Sequence, residues 1–186
     1  MNQLFRVLLL CCLSGSAFGQ LTATAPLPLD EATHRITYAA TLPVAGASQA
    51  ELLARAQAWA SSHSPADKTP LTASQRTDVV VVTGTEEMIY PHLEVLVRQP
   101  LHYTATISWA EGSYTYRITD FVLEERSTAT PTYVPAEAAL LQPPPTKAAA
   151  TTLYYLRTAF EEATAQLLGT LQTELAPLPA PATVGQ

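Results

Sequence analysis

Alternating apolar and polar residues predict the strands of a half-buried sheet. The alternation runs over residues 34–42, and again over residues 103–109 and 114–118. A period of two is typical of a strand that turns one face to the core and the other to solvent. The last two runs flank Gly112, and glycine readily adopts the positive φ that a tight turn needs. They therefore predict an antiparallel hairpin.

Two shorter apolar stretches and one shift in the alternation extend the predicted sheet. Residues 79–82 are consecutive valines, which is typical of a strand covered on both sides or deep in a sheet. Residues 93–97 alternate between prolines at positions 91 and 100 and predict another strand. Beyond residue 118 the apolar positions shift to Phe121 and Leu123, which predicts a β-bulge near Asp120.

Two segments repeat apolar residues at the three- to four-residue spacing of an amphipathic helix. Ser48 stands three residues before Glu51, which is the spacing of a capping box, and predicts a helix through about Ser61. A longer helix is predicted over residues 148–175. Its apolar stripe consists of Leu153, Leu156, Phe160, Ala163, Leu167 and Leu171.

The predicted elements combine into one architecture, because an antiparallel sheet with one polar face needs a cover on the other. The sequence predicts an α+β fold: an antiparallel sheet of about five strands covered on one face by two helices, in the order β-α-β-β-β-β-α. Clustered prolines mark the borders of the predicted core. The predicted units are a signal peptide (1–19), an extended leader (20–30), the α+β domain (31–126), a proline-rich linker (127–147), a C-terminal helix packing on the sheet (148–175) and a disordered tail (176–186).

The first residues have the three parts of a secretory signal. Arg6 provides a positive start, residues 7–13 form a short apolar segment, and small residues stand at Ala17 and Gly19. Signal peptidase accepts small residues at those two positions, which predicts cleavage before Gln20 and export to the periplasm or the extracellular space. Two alternatives, a short buried helix and a lipoprotein signal, fit less well.

Cleavage removes both cysteines, Cys11 and Cys12, and with them any disulfide, thiolate nucleophile or zinc–thiolate site. The formal net charge is −6 and no region forms a basic patch, which argues against nucleic acid as a partner. No apolar run reaches the roughly 18 residues that a transmembrane helix needs.

Three motifs, in this order and spacing, resemble a known family. They are Ser48-Gln49-Ala50-Glu51-Leu52 leading to Trp59, the segment 79–84, and the hairpin Glu111-Gly112-Ser113-Tyr114-Thr115-Tyr116-Arg117. The chain resembles the bacterial exported family of domain of unknown function 4468, which has a TBP-like fold, over about residues 36–121. The resemblance implies the fold and an exported location and supplies no catalytic residues. It does not imply DNA binding, because a fold does not determine a function and this chain is acidic.

The four histidines do not form a recognisable catalytic or metal motif. His34, His63, His92 and His102 contain no pair at the helical i, i+4 spacing. His92 and Glu94 are predicted to share one strand face in the H-x-E order of a deaminase, but the P-C-x-x-C segment of that chemistry is absent. His34 and His102 form the next candidate pair, provided that their strands are neighbours. The sequence predicts no catalytic, cofactor-binding or metal-binding residues and no cofactor.

Two pairs of adjacent carboxylates, Glu86-Glu87 and Glu124-Glu125, also fall in the predicted sheet. Neighbouring residues of a strand point to opposite faces, so the members of each pair cannot act together. Both pairs are interpreted as solvated strand ends.

Aromatic residues allow a ligand interpretation beside the simpler one of core packing. Five are predicted on strands, with three more on the helices: Tyr38, Tyr103, Trp109, Tyr114 and Tyr116, then Trp59, Tyr154 and Tyr155. Core packing is the favoured interpretation. The alternative is an apolar cavity between the sheet and the C-terminal helix, which an internal void would indicate.

Three functions are compatible with this pattern. The first is a non-enzymatic exported binding or interaction module whose partner is an unknown protein or a small apolar ligand. The second is a carrier of a small apolar ligand. The third is a hydrolase with an unrecognised site, which a cluster of histidine and carboxylate converging in a cleft would indicate.

Overall fold

The fold is seen in a computed structural model, which describes residues 26–44, 46–64, 79–110, 112–126 and 130–176. The predicted signal peptide lies outside the described residues, as does the predicted tail apart from its first residue. The elements in chain order are β1 (Tyr38–Pro43), α1 (Gln49–His63), β2 (Val79–His92), β3 (Val95–Ala110), β4 (Ser113–Glu125), β5 (Thr132–Pro135), α2 (Ala136–Leu140) and α3 (Lys147–Leu175).

All five strands form one antiparallel sheet, which confirms the predicted α+β class. The order is β1-β4-β3-β2, and β5 also pairs with β4. β1 pairs with the first half of β4 and β5 with its end, so the two short strands follow one another along the same edge of β4. Within the described ranges β2 pairs with β3 alone, which leaves its other edge free.

The bulge predicted near Asp120 is confirmed. Asp120 has a φ of +56°, and the β3–β4 register shifts between His102 and Thr104. One residue of β3 therefore faces two residues of β4 at this point. The extra residue places Phe121 and Leu123 on the core face. Tyr114, Tyr116 and Ile118 lie on the same face in the first half of β4.

The core lies between one face of the sheet and the helices α1 and α3. Buried residues alternate with more exposed ones along β3 and β4, which shows that a single sheet face is covered. Both helices contact β2 and also contact each other. The largest fully buried side chains include Trp59 of α1, Phe160 of α3 and Phe121 of β4. Within the described residues, no helix is both long and apolar enough to cross a lipid bilayer.

The capping box predicted at the start of α1 is present. The Glu51 backbone N–H donates to Ser48 Oγ at 3.3 Å, and the Ser48 backbone N–H donates to Glu51 Oε2 at 2.8 Å. Two donors at the helix start, where N–H groups have no partner inside the helix, are satisfied in this way. The helix continues to His63, slightly beyond the predicted end.

Two predicted strand boundaries are wrong. β1 begins at Tyr38, and His34 lies before it in a turn with a φ of +56°. The strands predicted over 93–97 and 103–109 are one continuous strand, β3. Pro100 interrupts neither the β2–β3 pairing nor the β3–β4 pairing. The β3–β4 ladder begins only at Leu101, so the N–H group that proline lacks is not needed on that side.

The predicted extended linker over 127–147 is also wrong, since it contains β5 and α2. Ala136 and Leu140 are buried, and Glu137 Oε1 accepts from the Ile36 backbone N–H at 2.7 Å. The prolines stand at the borders of these elements, where proline is tolerated, rather than inside them. The end of the predicted leader packs as well, because Leu27 is buried and Leu29 forms a bridge with Ile36.

Asp30 anchors the turn before β1 and gives the fold a testable dependence on pH. Hydrogen bonds from the backbone and hydroxyl of Thr33, followed by the Arg117 guanidinium, lower the pKa of Asp30 from 3.8 to about 2. A carboxyl whose pKa is lower in the folded state stabilises the fold above its unfolded pKa, and this stabilisation is lost as the pH falls towards 2. We expect Asp30→Asn to lower the melting temperature at neutral pH, with a difference from wild type that shrinks between about pH 4 and pH 2.

Thermal unfolding followed by circular dichroism over this pH range measures the difference. Glu31→Gln, on the neighbouring exposed residue, is the control for the loss of one negative charge. A difference that stays constant from neutral to acid pH would show that the ionised Asp30 carboxylate does not stabilise the folded state.

Candidate binding site at the free edge of β2

A depression of about 1120 Å³ begins at β2, the edge strand, and extends across β3 and β4 to Tyr133 of β5. Its lining includes Thr83 and Thr85 together with Gly84 and Glu86. Successive residues of a strand point to opposite faces. The depression therefore reaches both the core face and the solvent face of the sheet at the same place along β2.

On the core face, Tyr103 lies across Gly84. The two residues are opposite each other in the β2–β3 register, and a Cβ atom at Gly84 would lie 2.3 Å from both Cζ and Oη of the tyrosine. The ring thus occupies the space that any other residue at this position would fill. Tyr103 is only 2% exposed, and among the described residues its hydroxyl has no hydrogen-bond partner. Burial, with a smaller contribution from Glu86, raises the pKa of this hydroxyl well above its usual value.

The polar side chains of His63 and Glu86 line the depression on the same side as this hydroxyl. His63 is the last residue of α1, and its ring stacks on Trp59 with centroids 4.5 Å apart. Its Nδ1 lies 2.9 Å from the Trp59 carbonyl oxygen, and its Nε2 lies 3.3 Å from Thr170 Oγ1 of α3. Burial raises the pKa of the half-buried Glu86 carboxyl, and the nearby His63 opposes this shift. The charge on Glu86 is therefore incompletely compensated in the free protein.

On the solvent face, Thr85, His102 and Glu124 form a continuous chain of contacts. Thr85 Oγ1 lies 3.0 Å from His102 Nδ1, and His102 Nε2 lies 2.8 Å from Glu124 Oε2. The other carboxylate oxygen of Glu124 accepts from Arg126 Nε at 2.5 Å. The hydrogen bond from Arg126, and after it the one from His102, lowers the pKa of Glu124. Tyr133 of β5 borders this chain, with its ring 5.6 Å from the His102 ring.

Glu124 therefore corrects one prediction. It is 7% exposed and ion-paired, so it is not a solvated strand end. Glu86 is half-buried, which is also more than a solvated strand end implies, whereas Glu87 is exposed and pairs with Arg98. The opposite orientation predicted for adjacent carboxylates holds, because Glu86 faces the core side and Glu87 the solvent side.

The candidate pairs predicted from the sequence are not brought together. Leu93 and Glu94 form the turn between β2 and β3, so His92 and Glu94 do not share a strand face. His92 Nδ1 instead lies 3.5 Å from Thr152 Oγ1 of α3. His34 and His102 are not on neighbouring strands, because β4 lies between β1 and β3. In the part of the chain that the structure describes, no three histidine, cysteine or acidic residues group in a way that would hold a metal ion.

The aromatic residues belong mainly to the core. Those on β3, β4 and α1 are buried, namely Tyr103, Trp109, Tyr114, Tyr116 and Trp59. Tyr38 is half-buried and packs against the core. On α3, Tyr155 is 39% exposed and so departs from this pattern.

A second, apolar depression of about 500 Å³ lies beside the first turns of α3. Leu153 and Leu156 of α3 line it, with the three prolines at 143–145 and Leu93 of the β2–β3 turn. Farther along α3, Phe160, Leu167, Leu171 and Leu175 are buried in the core. This groove lies at the surface rather than between the helix and the sheet.

Comparison with known proteins identifies the fold. Residues 38–124 match the model of DUF4468, a domain of unknown function with a TBP-like fold. A DUF4468 family protein from Bacteroides ovatus aligns with a TM-score of 0.60 at 14% identity, over 84% of this chain and 94% of that one. A TBP-like protein from Parabacteroides distasonis aligns with a TM-score of 0.53 at 14% identity, over 78% and 96% of the two chains. No curated protein matches the sequence. The TBP-like fold expected from the sequence is confirmed.

Proposed function

Residues 38–124 match the model of the DUF4468 family. From the site that the structure forms, we propose that this protein is a non-enzymatic binding protein. Its ligand site is the depression at the free edge of β2. The observation that supports this proposal best is the hydroxyl of Tyr103, which is buried and has no hydrogen-bond partner in the part of the chain that the structure describes. A phenylalanine would fill the same space without the cost of about 1–3 kcal/mol for an unsatisfied polar group. A ligand that hydrogen-bonds this hydroxyl accounts for its presence.

We also propose that the protein is exported, as the sequence around Ala17 and Gly19 indicates. In this proposal the mature chain begins at Gln20 and meets its ligand in the periplasm or outside the cell. Intact-mass analysis of the exported protein should show the loss of residues 1–19. A diacylated cysteine in place of this cleavage would contradict it.

Ligand titrations followed by amide NMR shifts test the binding site. Small saccharides, short peptides and fatty acids serve as probes, with wild type and Tyr103→Phe as the proteins. The proposal expects a probe to shift amides 83–86 and 102–104 and to bind Tyr103→Phe at least about tenfold more weakly. The variant itself should be as stable as wild type or more stable, because it no longer buries an unsatisfied hydroxyl. Binding that leaves these amides unperturbed would place the site elsewhere.

The apolar groove favours a second candidate, a carrier of a small apolar ligand. Its leucines and prolines offer an apolar surface at the start of α3. In this case the fatty acid in the same titration shifts amides 153–156, and Tyr103→Phe binds it as well as wild type does.

The third candidate, a hydrolase, is favoured by the chain Thr85–His102–Glu124, which joins a hydroxyl, an imidazole and a carboxylate. We propose a structural role for this chain, because Arg126 also binds Glu124 and the contacts connect β2, β3 and β4. Assays with esterase, peptidase, glycosidase and phosphatase substrates, with and without zinc, decide between the two roles. Turnover that His102→Ala abolishes would contradict the non-enzymatic proposal.

A further inference from the structure

We propose that the ligand of the β2-edge depression is an extended peptide that adds to β2 as a further strand and places a lysine or arginine side chain beside Glu86. This inference rests on the binding function proposed above and names its ligand class. It follows from the shape of the site, its charge and the position of the Tyr103 hydroxyl.

The shape of the site fits a strand. An edge strand carries backbone N–H and C=O groups that a neighbouring strand would satisfy, and β2 is 14 residues long. An added strand hydrogen-bonds through its backbone and sends successive side chains to opposite faces of the sheet. The depression is built in the same way, with Thr83 and Thr85 on the solvent face and Gly84 and Glu86 on the core face. Gly84 also leaves the core face of the edge free of a side chain of its own.

The charge of the core-face half fits a basic side chain. Glu86 contributes a half-buried carboxylate near the imidazole of His63, and the hydroxyls of Ser62, Ser64 and Thr170 line the same depression. Burial raises the pKa of Glu86, which shows that its negative charge gains from a cation brought close to it. A peptide ammonium or guanidinium group supplies that cation through charge-assisted hydrogen bonds.

Tyr103 fits the same arrangement. Its ring crosses Gly84, so the hydroxyl lies over the backbone of β2, the edge strand. The oxygen can accept a hydrogen bond from the cationic group that Glu86 attracts. The basic side chain would thus contact the Glu86 carboxylate and the Tyr103 hydroxyl at once.

The solvent-face half of the depression does not require a second charged residue on the peptide. Glu124 already pairs with Arg126 and His102, so its negative charge is compensated. At the edge itself, the solvent face offers the exposed side chains of Thr83 and Thr85 to the alternate peptide side chains. These surfaces suit threonine, valine or aromatic residues.

Selection from a phage-displayed library of random linear peptides tests the proposal on the full mature chain. The selected peptides should carry lysine or arginine at one position flanked by residues of high β-propensity. The strongest selected peptide is then synthesised and its affinity measured by calorimetry. We expect Glu86→Gln to weaken it at least about tenfold. Glu87→Gln, the neighbouring carboxylate on the other face, should change it by less than about twofold.

Peptides with N-methyl groups at successive positions separate strand addition from other modes of binding. In an added strand, alternate N–H groups point to β2, so methylation should abolish binding at every second position only. A library that yields no binder, peptides without a basic residue, or equal effects of Glu86→Gln and Glu87→Gln would each overturn this inference. The binding function itself would still stand if a saccharide or another probe shifted amides 83–86 and required Tyr103, so the two failures are distinguishable.

Discussion

Phe160→Ala should lower the free energy of unfolding by about 3–5 kcal/mol. Phe160 is fully buried on α3, and its ring meets that of Phe121 edge to face with centroids 5.2 Å apart. Phe121 in turn contacts the rings of Tyr38 and Tyr103. The substitution therefore opens a cavity at the point where the C-terminal helix joins the aromatic centre of the sheet.

Urea denaturation followed by tryptophan fluorescence measures this change. Tyr155→Ala is the matched control, because it removes an aromatic ring from the same helix at a position 39% exposed, and it should cost about 1 kcal/mol.

A chain that ends at Lys147 is the extreme case, since it loses almost the whole helix. It should aggregate or melt far below wild type, given a total stability of about 5–15 kcal/mol. A truncated monomer with an unchanged melting temperature would show that α3 does not stabilise the sheet.

The features predicted correctly from the sequence depend on contacts close along the chain. The capping box of α1 needs Ser48 and Glu51, and the long helix needs only the spacing of its apolar residues. The bulge near Asp120 follows from a change in alternation along one strand. Each of these signals is local, so it can be interpreted without knowing which strands pair.

The strand β5 and the short helix α2 were not predictable from such local signals. β5 and α2 are short, and prolines stand at their borders, so composition alone favours an extended linker. Their burial depends on contacts distant in sequence, such as the hydrogen bond from Ile36 to Glu137. A segment of this length is stable because of its neighbours rather than its own propensity.

The sequence does not predict the candidate site, because it does not predict how β2 pairs with β3. The turn between β2 and β3 lies at Leu93 and Glu94, and Leu93 has a φ of +55°, a conformation more typical of glycine or asparagine. Without a glycine or asparagine signal, the sequence places a strand where the chain turns. The pairing of Gly84 with Tyr103 depends on that turn, so the sequence alone does not bring them together.

The contact between His102 and Glu124 depends on the bulge. Before Asp120, the solvent face of β4 receives odd-numbered residues such as Thr115 and Arg117. After it, the solvent face receives even-numbered residues, and Glu124 is one of them. The predicted shift in alternation implied this change of face. That His102 is the partner of Glu124 follows only from the pairing of β4 with β3, which local sequence signals do not show.

Gly84→Ala should destabilise the fold by about 1–3 kcal/mol, although it adds a single methyl group. The new Cβ atom would lie 2.3 Å from Cζ and Oη of Tyr103, so the ring has to move. Because Tyr103 is 2% exposed and its ring packs against Phe121, that movement disturbs the core rather than a flexible surface side chain. Gly169→Ala is the matched control, because a Cβ atom there meets nothing within 4 Å. It should stabilise α3 by up to about 1 kcal/mol.

A double-mutant cycle assigns the Gly84 effect to the tyrosine ring. Tyr103→Ala alone should cost about 3–5 kcal/mol through lost burial, as for other large aromatic residues. In that background Gly84→Ala should cost much less than it does in wild type, because the space its methyl group needs is then empty. We expect a coupling energy of about 1 kcal/mol or more from urea denaturation of the four proteins. Effects that add to within about 0.5 kcal/mol would show that Tyr103 does not lie across Gly84, and the binding site built on its hydroxyl would lose its geometric basis.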